Sequence, residues 1–535
     1  MPEHADKTVN ADPTPEPREH IVSTQHSLVV NGRTLNYTAT CGTLLLRLYN
    51  DTEDAGSREA LSGTDAPRKA PDKARAAFFF IAYTLNDDAA SPSRARPQAD
   101  DLRRPPPEGD EQSGKATWAQ EARALTFAFN GGPGSSSVWL HLGLLGPQVV
   151  ATDDTGLVPP PPYALRDNEH TLLTHSDLVF IDPVGTGHSR MLDEQKTSEF
   201  HEYQRDLDSV SEFIRQYLTR YDRWGSPKYL MGESYGTTRA AGLSHHLQEK
   251  HDIFLNGVML VSLALDMQTL SFDHANDLPY ALFLPSYAAT AWYHRALPPD
   301  MQRKALREVI AAAETFANAE YSLALMQGSR LSPAERERIA SQVARFTGLG
   351  IDYVLRCDLR PLDSRFCKEL LRQRCQTVGR LDSRFVGQDR DDAGEQPEAD
   401  ASMNNLVGAF AAGMNRLLRA RLKFESDAPY VVHAPLWQKW KWKDFENKYA
   451  NVGNSLRRAM QANPHMRVYV ASGFYDLATP HAAADYTLSH LGLRDAQAAN
   501  ISVNYFEAGH MMYIHQASMA RMAMQLRSFV KSQDE

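Results

Sequence analysis

The sequence predicts an α/β chain with a mixed, mostly parallel sheet interrupted by a largely helical insertion. Three observations carry this. Short apolar runs alternate with helical spacing from residue 124 to about 267, and again from 467 to the end. Several of the runs end in small-residue turns, notably Asn130-Gly131-Gly132-Pro133-Gly134 and Gly232-Glu233-Ser234-Tyr235-Gly236. From about 268 to 440 the alternation is lost and the pattern is mostly helical, which reads as an insertion into one sheet rather than a tandem of two domains.

The elements follow in order. Residues 1–24 are rich in Pro, Glu and Asp and predict a disordered tail. His26–Val30 reads as a strand, Asn31-Gly32 as a tight turn, and Thr34–Thr40 as the returning strand of a hairpin. Two polar stretches, about 51–74 and 88–119, read as inserted loops, with Ala76–Tyr83 a buried strand between them. Further strands are expected at Leu125–Phe129, Leu178–Asp182, Lys228–Met231 and Val258–Ser262. Helices are expected over 199–220 and from Thr237 to about 249. The insertion contains a charged tract at 387–401. Beyond it come strands at Arg467–Ala471 and Ile501–Phe506 and an amphipathic helix at about 513–530. The division expected is a core of 25–267 and 441–535 around an insertion of 268–440. The pentapeptide Leu-Asp-Ser-Arg-Phe occurs twice, starting at Leu362 and at Leu381, without a wider repeat; it reads as coincidence or local duplication.

Composition excludes some functions. The 535 residues are 42% hydrophobic and 9% aromatic, enough for a sizeable core. A net charge of −9 and a pI of about 6.1 argue against a nucleic-acid or anionic-membrane binder, which would carry a basic face. Four cysteines are too few for a disulfide framework in this length. Cys357, Cys367 and Cys375 lie close enough for one local bridge, but free, partly packed thiols are the plainer reading. The absence of CxxC spacing and of nearby histidines speaks against zinc. No apolar stretch approaches the eighteen or so residues of a membrane span. The polar start Met1–Lys7 has no apolar h-region, so the expected location is cytoplasmic as written, or secreted or periplasmic if a leader has been removed.

The chemistry lies in three segments in one order: Ser234 between Gly232 and Gly236, then Asp476, then His510. Serine, acid, histidine is the chain order of an α/β-hydrolase triad, and Ser234 stands where an apolar strand turns sharply into a helix. A serine hydroxyl needs a base within reach. His510 follows a strand, on the small-residue turn Ala508-Gly509, which leaves room for a ring. Asp476 also follows a strand end and is placed to orient that imidazole. Asp182 is a competing acid at another strand end, but it precedes the serine. An acyl-transfer oxyanion needs two N–H donors. One is expected from Tyr235, the other from the glycine-rich loop Asn130-Gly131-Gly132, which lacks the lysine or G-x-G-x-x-G pattern of a phosphate loop.

These segments together resemble the serine carboxypeptidase family. Asn130–Ser137, Gly232–Gly236, Gly473–Asp476 and Gly509-His510-Met511 match its signatures, and Ile181–Ser189 is similar to another. The resemblance covers about 124–267 and 467–535; the first 120 residues are closer to bacterial-type members. It implies that Gly132 and Tyr235 donate the oxyanion N–H groups. It further implies that Asn130, Glu233 and the Gly131 N–H hold the substrate's terminal carboxylate, that Met511 lines the pocket for the last side chain, and that the insertion caps the cleft. Three positions depart from the family pattern. Ala128 stands in place of a frequent Trp, Leu144 in place of a second Glu, and Ser135 in place of a frequent Cys.

The activity expected is release of C-terminal residues from peptides through an acyl-enzyme, without cofactor or metal; the partners expected are peptides with a free C-terminus. An esterase or acyltransferase on the same scaffold is the alternative. A retired binding protein should have lost a triad member or the glycine loop, and the sequence keeps both.

Overall fold

A computed structural model describes residues 18–47, 74–86, 123–192 and 199–531. The predicted loops at 51–74 and 88–119 fall outside these residues, save residue 74. Ten strands form one sheet. Its nine longer members are β1 (Ile21–Val30), β2 (Arg33–Leu46), β3 (Ala76–Leu85), β4 (Ala124–Phe129), β5 (Ser176–Ile181), β6 (Lys228–Glu233), β7 (Gly257–Val261), β8 (Arg467–Gly473) and β9 (Ile501–Phe506). The spatial order is β1-β2-β3-β5-β4-β6-β7-β8-β9, and a two-residue strand, Arg190–Met191, pairs with the start of β3. Pairing is antiparallel from β1 to β5 and parallel from β5 to β9. The fold is thus the mixed, mostly parallel sheet that the alternation predicts.

Side chains on each strand alternate between two cores. Phe79, Ile81 and Tyr83 of β3 face one, Phe78, Phe80 and Ala82 the other; β8 sorts Tyr469 and Ala471 from Val468 and Val470 in the same way. Helices α1 (Tyr203–Arg220) and α2 (Tyr235–His251) cover the second face. Both faces being covered explains why the central strands read as continuous apolar runs. Asn31 and Gly32 take positive φ, 51° and 76°, as the tight hairpin requires. The expected tail is shorter than 24 residues. Ile21 and Val22 pair with Gly42 and Cys41, and the Glu19 carboxylate accepts hydrogen bonds from Leu45 N and Arg220. Paired backbone and a charge-assisted anchor outweigh the polar composition there.

Between β7 and β8 come α3 (Leu278–Tyr293), α4 (Leu306–Phe316), α5 (Pro333–Thr347) and α6 (Ala401–Arg416), of which α3 to α5 share a hydrophobic cluster of their own. The helical reading fails at the end of this stretch. From about 422 to 451 the chain is a strap without α-helix, broken by 3₁₀ turns at Leu436–Lys439 and Lys443–Phe445, whose bridges pair Ser135 with His433, Gly187 with Val431 and Glu202 with Lys441. Pro429 and Pro435 break helical hydrogen bonding, and the backbone groups bond across to the core's loops instead, as in Ala434 N to Gly134 O at 2.8 Å. After the strap, α7 (Gly453–Ala462) leads into β8, α8 (His481–Ser489) follows it, and α9 (Gln516–Lys531) packs beneath the sheet; the predicted last helix starts three residues early because Met512–Ile514 form a 3₁₀ turn. All four cysteines are free, so the local bridge does not form.

Candidate active site

β6 runs into α2 through Ser234, which adopts φ 60° and ψ −129°, a conformation L-residues rarely take. Its amide donates to Val261 O at 3.0 Å, and Thr237 N donates to Ser234 O at 2.8 Å. The turn leaves Ser234 half-buried between Glu233 and Tyr235, which are both buried.

The glycine loop follows β4, the strand beside β6. A Cβ on Gly131 would stand 2.5 Å from Tyr235 N and 2.6 Å from Gly236 N, so the loop is pressed onto the serine turn and only glycine fits. Gly132 is exposed while Gly131 and Pro133 are buried. A buried ion pair lies below. Arg239 donates from Nε to Asp206 Oδ2 at 2.8 Å and from Nη1 to Asn130 O at 2.7 Å, and Tyr235 OH reaches the same Asp206 oxygen at 3.1 Å. One guanidinium therefore ties the glycine loop to the helix carrying Tyr235.

His510 and Asp476 come together after β9 and β8. Nδ1 of His510 lies 2.7 Å from Asp476 Oδ2, which also accepts from Thr479 Oγ1 at 2.8 Å. Asp476 Oδ1 accepts from the amides of Ala478 and Thr479 at 2.7 and 3.0 Å. A carboxylate opposite Nδ1 fixes the proton there and leaves Nε2 with its lone pair. Burial disfavours a charged imidazole, but Asp476, its hydrogen bond and Glu233 outweigh this and raise the His510 pKa. Ser262 Oγ donates to His510 O at 2.7 Å, joining the base turn to the end of β7, whose Val261 O holds the serine amide. The His510 ring bonds through Nδ1 to Asp476 and Thr479, and among the described residues no hydrogen bond joins it to Ser234 Oγ; such contacts often tighten only with substrate.

Glu233, only 4% exposed, is held at both oxygens. Asn130 Nδ2 donates to Oε1 at 3.0 Å and Tyr513 OH to Oε2 at 2.6 Å, while Leu140 N fixes Asn130 through its Oδ1 at 3.1 Å. Burial raises the Glu233 pKa to about 7, against the opposing pull of His510, Tyr513 and Asn130. The structure thus brings together Asn130, Gly131, Gly132, Glu233, Ser234 and Tyr235 in one cluster and Asp476 and His510 in a second. The end of β7 joins them: Val261 O accepts from the Ser234 amide, and Ser262 Oγ donates to His510 O. Met511 is buried among core residues with Leu144 and presents little surface to a cleft. The competing acid, Asp182, is occupied elsewhere: it accepts from Ser137 N and Oγ at 2.9 and 2.8 Å and from Tyr430 OH at 3.3 Å, tying the glycine loop to the strap.

Two residues escape sequence reasoning. Tyr513 supplies a donor to Glu233; a phenol in the apolar run Met511-Met512-Tyr513 is its one signal. Asp382, from the insertion, fills the space beside Gly509, where an added Cβ would sit 2.4 Å from Asp382 Cβ. The room made by Gly509 is thus taken by this side chain and not by the imidazole. Among the described residues, no group of three or more His, Cys, Asp or Glu could hold a metal ion, and no helix is long and apolar enough to cross a membrane.

Residues 114–308 match the family model of the serine carboxypeptidases. No curated protein sequence matches the chain. Solved structures similar to it include a proline iminopeptidase from Mycobacterium smegmatis, at 13% identity over 77% of this chain and 92% of that one, with a TM-score of 0.33. A monoglyceride lipase from Saccharomyces cerevisiae, studied as a soluble variant, is 11% identical over 88% and 97%, with a TM-score of 0.33. A rice cell wall degrading esterase from Xanthomonas oryzae is 10% identical over 96% and 98%, with a TM-score of 0.34. Likenesses this distant say nothing about substrate. The segment 114–308 is thus similar to the serine carboxypeptidases, the sheet is that of an α/β-hydrolase, and the two together support a serine hydrolase.

Proposed function

We propose that the protein is a serine-type carboxypeptidase with Ser234, His510 and Asp476 as its triad. His510 Nε2 takes the Ser234 proton as Oγ attacks the last peptide carbonyl. The oxyanion is held by the N–H groups of Gly132 and Tyr235. The tetrahedral intermediate collapses as His510 protonates the leaving amine, releasing the C-terminal residue and leaving an acyl-Ser234 ester. Water, deprotonated by the same ring, then hydrolyses the ester. Asp476 holds the imidazole tautomer and stabilises the imidazolium.

The observation that carries the exopeptidase reading is the buried cluster Asn130–Glu233–Tyr513 beside the nucleophile. A general acyl hydrolase has no need of a buried carboxyl there. A carboxyl whose pKa is pushed up to about 7 is protonated at acid pH, and can then meet a substrate carboxylate as a hydrogen-bond donor instead of as a like charge. Asn130 and the Gly131 N–H supply the other donors, so only a free C-terminus is anchored. Mass spectrometry of a mixed peptide pool tests this. A ladder of C-terminal losses is the expected result; ester cleavage with no ladder would transfer the protein to the esterase or acyltransferase reading.

A further inference from the structure

We infer that the segment Arg380–Arg384 of the insertion is a positioning element for Asp476 and His510, so that the insertion takes part in building the active site. The inference rests on Asp476 and His510 being acid and base, and not on the choice of peptide over ester.

This segment meets both catalytic turns through four hydrogen bonds. His510 N donates to Leu381 O at 2.6 Å and Gly509 N to Asp382 Oδ2 at 3.2 Å. On the acid's turn, Leu477 N donates to Arg380 O at 3.0 Å, and Ser383 N donates to Tyr475 O at 3.0 Å. The residues flanking Asp476 and the amide of His510 itself are thus fixed by four consecutive insertion residues, Arg380 to Ser383. Leu477 also packs into the insertion's own hydrophobic cluster.

The segment is itself rigidly held. Asp382, 2% exposed, is gripped bidentately by Arg384, Nε to Oδ1 at 2.9 Å and Nη2 to Oδ2 at 2.6 Å. Its amide donates to Ser402 Oγ at 2.9 Å, and Asp400, which caps α6, accepts from the amides of Arg380 and Leu381 at 3.2 Å each. Ser383 is tied to Thr290 of α3 and to His294 just beyond it, both at 2.6 Å. The Arg380 side chain bonds Asp363 at 3.0 Å. Asp363 and Asp382 are the aspartates of the two Leu-Asp-Ser-Arg-Phe copies: one copy anchors, the other positions.

Such a device matters because the imidazole direction follows the backbone of residue 510. A misplacement of about 1 Å in a catalytic group can cost on the order of 100-fold in rate. A merely structural joint would lower stability without changing what each folded molecule does.

The test uses the full chain, a p-nitrophenyl ester, and a fluorophosphonate that counts competent Ser234. In Asp382→Ala, kcat per labelled site and the phosphonylation rate should fall roughly 10- to 100-fold with KM nearly unchanged. The pH inflection of kcat should also move. The charged groups coupled to His510 are Asp476, Glu233 and Arg380, and a loosened turn weakens the Asp476 contact that holds the inflection up. Asp382→Asn, which keeps an oxygen for Gly509 N, should recover most of the loss. A lower melting temperature with unchanged kcat per site and unchanged inflection would overturn the inference. Should the alanine variant not fold, hydrogen exchange of the wild type decides: the Leu477, Gly509 and His510 amides should exchange as slowly as those of β8, and fast exchange overturns it. Activity surviving in His510→Ala would instead sink the acid–base assignment.

Discussion

The two sides of the active site are built differently. On the nucleophile side, the glycine loop and the serine turn rise from adjacent parallel strands, β4 and β6, and are locked by core residues: Gly131 against Tyr235 N, and Arg239 between Asn130 and Asp206. On the base side, Asp476 and His510 also rise from adjacent strands, β8 and β9, but their turns close onto the insertion's Arg380–Arg384. Inserted chain touches both sides, but differently: the strap bonds to Gly134 and Ser136, beyond the oxyanion glycines, whereas Arg380–Arg384 bonds to the amide of His510 itself.

The largest expected effect removes the difference by destroying the unit. Ser234→Ala should abolish fluorophosphonate labelling and turnover, and His510→Ala should cost about as much, since members of a triad act as a unit. Asp476→Asn should cost less, though still on the order of 10⁴-fold, because the ring loses its tautomer. Steady-state kinetics checks all three; labelling at another serine, with activity kept in Ser234→Ala, would remove the nucleophile assignment.

This asymmetry also decides what was legible in the sequence. The nucleophile side is spelled in contiguous motifs, because each requirement there is local: small residues around a strained serine, glycine where a backbone passes 2.5 Å away. The sheet was legible for a similar reason, since strands buried on both faces read as apolar runs. Asp382 was not legible. Its partner Gly509 lies 127 positions away, and nothing in Leu-Asp-Ser-Arg-Phe distinguishes the copy that reaches the site from the copy that does not. Tyr513 was hidden by its apolar setting. The strap lies in a stretch whose overall pattern is helical, whereas its own backbone pairs with core loops. The opening strand was hidden by a polar tail whose last residues find partners only in the folded sheet.

A second prediction, of intermediate size, tests how far the core's ion pair holds the nucleophile side. Arg239 and Asp206 are almost fully buried, with side chains 1% and 4% exposed. Removing one partner of a buried pair leaves an uncompensated charge and costs roughly 3–5 kcal/mol. Arg239→Met should therefore lower the denaturation midpoint strongly, and it should slow phosphonylation of Ser234 by loosening Tyr235 against the glycine loop. The double variant Arg239→Met, Asp206→Leu should regain only part of the stability, because Asn130 O and Tyr235 OH remain without their partner. A full recovery of both stability and labelling rate would mean that the pair supports the fold and not the oxyanion geometry.

The smallest expected effect lies where the two sides touch, at Glu233 and His510. With Glu233 protonated below about pH 7, free-acid peptides should bind best at acid pH, and their KM should rise as the carboxyl ionises. Amidated peptides bring no charge and should show no such rise; coincident KM–pH profiles for the two would remove the clamp. Tyr513→Phe sharpens the sign. The Tyr513 hydroxyl favours the charged form of Glu233, so its loss should raise the Glu233 pKa and carry the KM rise to higher pH. One hydrogen bond is worth about 1 kcal/mol, and one pKa unit is about 1.4 kcal/mol, so the displacement should be somewhat under one unit. Glu233→Gln acts on the other side. It should flatten the free-acid KM profile, and by removing an anion that helps hold the His510 pKa up it should move the acid limb of kcat to lower pH. The two titrations are coupled, so kcat and KM together report the pair. Opposite displacements in the two variants, KM upward in Tyr513→Phe and kcat downward in Glu233→Gln, are what a clamp carboxyl shared between the two halves of the site requires. A kcat profile unmoved by Glu233→Gln would place Glu233 on the nucleophile side alone.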